Sequence, residues 1–86
     1  MTGLTEEIPV VRTEIDTLES RMDRVDVEIL TLVRERIALA EALRAARAEA
    51  GGTRFVHERD LAAVRRFAAL GPAGADLAAT LLRLCG

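Results

Sequence analysis

The sequence predicts an all-α chain: three helices, the first very long and paired with a second copy of itself. Three observations point there. Alanine and leucine abound, only Phe55 and Phe67 are aromatic, and no sustained stretch alternates apolar and polar residues as a strand would. Apolar residues recur in steps of four and three through Val11, Ile15, Leu18, Met22, Val25, Ile29 and Leu32, resuming at Leu39, Leu43, Ala46 and Ala50. That spacing is the seam of a long helix packed on other helices. Breaks at Gly51-Gly52 and Gly71-Pro72 then divide the remainder into two shorter segments.

Residues 1–8 are expected to form a flexible N-terminus, and 9–86 a single helical domain. Helix 1 is expected to start between Pro9, which suits a first helical turn, and Glu14, with Thr13 and Asp16 offering a capping box. No breaker interrupts the seam before Gly51-Gly52. Some 40 residues of helix span about 60 Å, whereas a compact chain of this size has a radius of gyration of about 12 Å. One protomer cannot cover both ends of such a helix, so an obligate oligomer follows, most simply a two-fold dimer. Thr53 to Val56 are expected as a short loop. Helix 2 is expected from His57 or Glu58 to Leu70, with Leu61, Val64, Phe67 and Ala68 facing inward. Helix 3 is expected from Ala73–Ala75 to about Leu84, burying Leu77, Leu81 and Leu84.

Arg36 occupies a seam position where an apolar residue belongs. A guanidinium buried alone is very costly, so an anion should meet it. Arg47 lies eleven residues on, three helical turns to within about 20°, with its Cα about 16 Å away. Two long side chains on one face leave room for a small anion between them. Alternatively, each could pair with a protein carboxylate, such as Asp26 or Glu19 of a partner helix. The glycine turn and helix start from Gly51 to Asp60 add Thr53, Arg59 and Asp60 near backbone amides that attract anions.

Composition excludes several function classes. The net charge is −2, and no basic block or aromatic platform suits nucleic acid. All twelve basic residues are arginine, which keeps its charge at any working pH and grips carboxylates with a planar fork. Most of these should lie on solvated helix faces, Arg65-Arg66 among them. The lone His57 has no second His or Cys with which to build a zinc site, so no metal and no cofactor is expected. No Ser or Cys has a base partner for covalent chemistry. Cys85, the single cysteine, precludes an internal disulfide and is expected to be inert. No apolar run approaches a membrane span, and no secretory signal is visible, so a cytoplasmic location is expected.

The run from Glu14-Ile15-Asp16-Thr17-Leu18 through Met22-Asp23-Arg24-Val25-Asp26, Ile29-Leu30 and Leu32-Val33 to Arg36 resembles helix 1 of the all-helical chorismate mutases. Gly51 to Asp60, Leu70-Gly71-Pro72 and Asp76-Leu77-Ala78 match as well, so the resemblance covers about Glu14 to Leu84. It is closest in kind to the short intracellular subclass, whose members work with DAHP synthase. The resemblance implies an intertwined homodimer of three-helix protomers with two active sites. It also implies conversion of chorismate to prephenate by a Claisen rearrangement in aromatic amino-acid biosynthesis. That reaction is pericyclic and requires no nucleophile. The protein must hold a dianion in its reactive shape and place positive charge where the breaking ether oxygen becomes negative.

By this resemblance, Arg36 binds a substrate carboxylate and Arg47 faces the ether oxygen, where many relatives use Lys. Arg59 binds the ring carboxylate, and Thr53 and the Val56 backbone line the pocket. Asp60 stands where relatives commonly have Glu against the ring hydroxyl; one methylene shorter, it loses that contact or reaches it through water. Glu19, from the partner chain, departs further, because relatives place there an arginine that grips a carboxylate. The chain also stops just after helix 3, where some relatives set a polar side chain against the ether oxygen, and it contains no Gln or Asn. A mutase that is weak alone and activated by a partner is therefore the leading expectation. A mutase for a related compound, such as 4-amino-4-deoxychorismate in secondary metabolism, would use Asp60 to meet the ammonium. A non-catalytic helical partner protein would let Glu19 pair with Arg36 and fill the site.

Overall fold

The computed structural model describes residues 3–51 and 56–86. Every element is helical: α1 (Gly3–Ala50), α2 (Val56–Phe67), a 3-10 turn (Ala68–Leu70) and α3 (Pro72–Cys85). The all-α expectation with a long first helix holds. Helix α1 starts earlier than Pro9 and carries the proline inside it. A proline there lacks the N–H that would bond the carbonyl of Thr5, so the helix runs past it with one bond fewer. Gly51 closes α1 in the left-handed region, at φ +76°, and its N–H donates to the Ala48 carbonyl at 3.1 Å.

The chain divides into two units, Met1–Leu32 and Val33–Gly86. The first is helix alone. Every residue from Val11 to Leu32 is exposed, including the seam, with Met22 at 65% and Leu32 at 62%.

In the second unit, α2 and α3 pack on each other through small residues. Ala63, Gly74, Ala78, Leu81 and Cys85 are buried. This corrects the expected inward faces. Leu61 on α2, Ala68 in the 3-10 turn, and Leu77 and Leu84 on α3 are exposed, while Val64 and Phe67 are half-buried and Leu81 is buried as expected. The physical reason is close approach: Ala63, Gly74 and Ala78 let two backbones meet where leucines would hold them apart. Leu61, Leu77 and Leu84 are left exposed.

Gly74 shows how tight that approach is. A Cβ built there would overlap the carbonyl oxygen of Phe67 and sit 2.8 Å from its carbonyl carbon. Backbone cannot swing aside as a side chain does. Gly74→Ala should therefore cost about 1–3 kcal/mol or more, read as a lowered thermal midpoint. An unchanged midpoint would contradict this packing. At the preceding corner, Gly71 takes φ +92° and donates its N–H to the Ala68 carbonyl at 2.9 Å, which turns the chain from the 3-10 segment into α3. Pro72 at the start of α3 supplies the φ of a first helical turn.

Candidate active site

Within the second unit, no Cα of α1 comes within 8 Å of one in α2 or α3 among the described residues. The space left is a cavity of about 450 Å³. Helix α1 lines it with Arg36, Leu39, Ala40, Leu43, Arg44 and Arg47. Helix α2 contributes Arg59 and Asp60, and the end of α3 contributes Leu82 and Cys85, followed by Gly86. The helical wheel explains the α1 wall. Leu43 and Arg47 lie about 20° to either side of Arg36, Ala40 at about 40° and Leu39 at about 60°. The seam that is exposed in the first unit thus faces a cavity here.

Arginine side chains bridge the gap. Arg36 donates from Nη1 to Sγ of Cys85 at 2.9 Å, and Arg44 donates from Nη1 to the Cys85 carbonyl oxygen. Within the protomer Arg36 therefore meets a thiol, and the anion expected at it would be a ligand or a carboxylate of a partner helix. Arg36 is only half-buried, and this contact leaves most of its five N–H donors for such an anion. Cys85 is buried at 6% exposure and its thiol faces Arg36, a candidate site residue. Arg47 and Asp60 are half-buried, and Arg59 is exposed. The lining therefore carries four guanidinium groups against one side-chain carboxylate, set among leucine and alanine. Such a cavity attracts a small dianion with an apolar skeleton.

No family model matches the chain. Individual relatives do. Over 71 residues, 83% of this chain and 68% of the relative, it is 51% identical to the intracellular chorismate mutases of Mycobacterium tuberculosis and Mycobacterium bovis. The intracellular chorismate mutase of Mycolicibacterium smegmatis is 42% identical over 72 residues, 83% of this chain and 69% of that protein. The chain belongs to the intracellular chorismate mutase family.

Four of the seven sequence-derived candidates come together in this family member. Arg36, Arg47, Arg59 and Asp60 all line one cavity. Thr53 lies outside the described residues, and Val56 is placed as the first residue of α2 rather than in the expected loop. Glu19 is exposed on α1 in the first unit. Two lining residues with polar side chains were missed. Arg44 sits about 80° from Arg36 on the wheel, at the margin of the face. Its one sequence signal is its place three residues before Arg47, which makes the two helix neighbours. Cys85 was missed because it follows the last expected helical residue. Among the described residues no helix is long and apolar enough to cross a membrane, and no cluster of His, Cys, Asp and Glu could hold a metal ion.

Proposed function

We propose that the chain converts chorismate to prephenate. The single observation that carries this reading is the arginine-rich cavity, with apolar walls, in a chain of the chorismate mutase family. The substrate is a dicarboxylate whose rearrangement requires a compact shape and a stabilised ether oxygen. Arg36 takes one carboxylate and Arg59, at the start of α2, takes the ring carboxylate. Held at both ends, the dianion is confined to geometries near the reacting one, which removes much of the entropic barrier. Arg47 stands toward the ether oxygen, where negative charge grows as the C–O bond breaks, and a fixed cation there favours the transition state over the ground state. Leu39, Leu43 and Leu82 keep the ring in an apolar setting that strengthens these electrostatic contacts. Asp60 meets the ring hydroxyl, directly or through water, and Thr53 and the Val56 backbone complete the wall.

The working form in this reading is an intertwined homodimer, with the exposed α1 seam of each copy buried against the other. Glu19 of the second copy then approaches the substrate and repels it, so the chain alone is a slow catalyst. A DAHP synthase is the partner proposed to activate it, by shifting the population toward a competent site. The relatives are named intracellular, which supports a place inside the cell.

The test is prephenate formation from chorismate, followed with the chain alone and with a DAHP synthase. Slow turnover alone and faster turnover in the mixture are expected; no turnover in either would reject the mutase reading. Asp60, the one carboxylate side chain on the cavity wall, favours a second substrate for comparison. If 4-amino-4-deoxychorismate is turned over faster than chorismate, the ammonium-bearing compound is the better match.

A further inference from the structure

Arg36 and Arg44 both end on the same residue. One guanidinium donates to the Cys85 thiol and the other to its carbonyl oxygen. Two like charges thus converge on one residue, and among the described residues no carboxylate pairs with either. Each guanidinium has five N–H donors, so most of their capacity remains unused. A carbonyl oxygen and a thiol are also weak partners compared with a carboxylate, which accepts two parallel charge-assisted bonds from an arginine fork. An anion entering between the two would replace two weak contacts with strong ones and relieve the repulsion.

The placement of Arg44 suits that role. It reaches the cavity from the margin of the α1 face, one helical turn before Arg47 and two turns after Arg36. Its side chain is exposed at rest, so it can turn without disturbing the α2–α3 packing. Arg59 comes from α2, on the other wall. We propose that Arg44 is a substrate-binding residue that joins Arg36 in gripping the side-chain carboxylate of the substrate, the one that Arg59 does not hold. The assignment rests on the mutase reading above. It also gives this chain a cation of its own at the site to offset the negative charge of Glu19.

The experiment is calorimetric binding to the whole chain of three probes: a bicyclic dicarboxylate analogue of the transition state, and the two monoamides in which either carboxylate is neutralised. Arg44→Gln should weaken the diacid about 10- to 100-fold, the range for a hydrogen-bonded charge. It should weaken the compound with a neutral ring position by as much. It should change the compound lacking the side-chain carboxylate by about twofold or less, since that contact is already gone. Arg44→Lys, which keeps the charge and loses the fork, should fall between. It carries the same comparison if Arg44→Gln melts below the assay temperature. Equal losses on all three probes, or none on the diacid, would overturn the assignment. Binding of no probe by the unaltered chain would instead overturn the mutase reading, and the Arg44 role with it.

Discussion

Replacing Arg47 with leucine should lower kcat by about 10²- to 10³-fold, the usual cost of removing one preorganised group that stabilises transition-state charge. Arg47 is half-buried on the cavity wall, and leucine retains most of its aliphatic bulk, so the helix should be unaffected. The ether oxygen bears little charge in bound chorismate and much more as its bond to the ring breaks. An interaction made mainly at that moment appears in kcat, with KM changing less. Arg47→Lys should restore a large part of the loss, since a point charge can do what this position requires. Steady-state kinetics on the three proteins decides the matter. A change confined to KM would move Arg47 from the reacting atoms to a carboxylate.

The second large effect is a gain. Glu19→Arg should raise kcat/KM toward chorismate. A carboxylate about 4 Å from a substrate charge costs about 4 kcal/mol at an effective dielectric near 20, or about a thousandfold in rate. Reversing the sign removes that repulsion and adds an attraction, so the increase should reach one to three orders of magnitude, depending on water between the groups. The same substitution should tighten binding of the dicarboxylate analogue. Unchanged or lower activity would show that residue 19 of the second copy does not approach the substrate.

The long helix and the two breaks were legible because they rest on local rules: apolar periodicity, glycine at a left-handed helix end, proline at a first turn. Four of the seven candidate site residues, Arg36, Arg47, Arg59 and Asp60, share one cavity because the same periodicity that made the seam also fixed which side chains face it. The misses have a common cause. Burial on α3 follows Gly74, Ala78, Leu81 and Cys85 rather than Leu77 and Leu84. Hydrophobicity names the residues that avoid water but does not say which neighbour covers them, and small residues win where backbones touch. Arg44 was hidden for a related reason. An arginine at the edge of a helix face looks solvated until a carbonyl opposite it, from Cys85, shows where it can reach. The start of α1 at Gly3 was obscured by Pro9, which marks a helix beginning more often than a helix interior.

The outward-facing row from Val11 to Leu32 has a last consequence. If the proposed second copy supplies its interior, folding and assembly become a single equilibrium governed by mass action. Dilution then acts on this chain as a denaturant would. The robustness of the catalyst would then be set by how many copies share the compartment as much as by the sequence of any one of them.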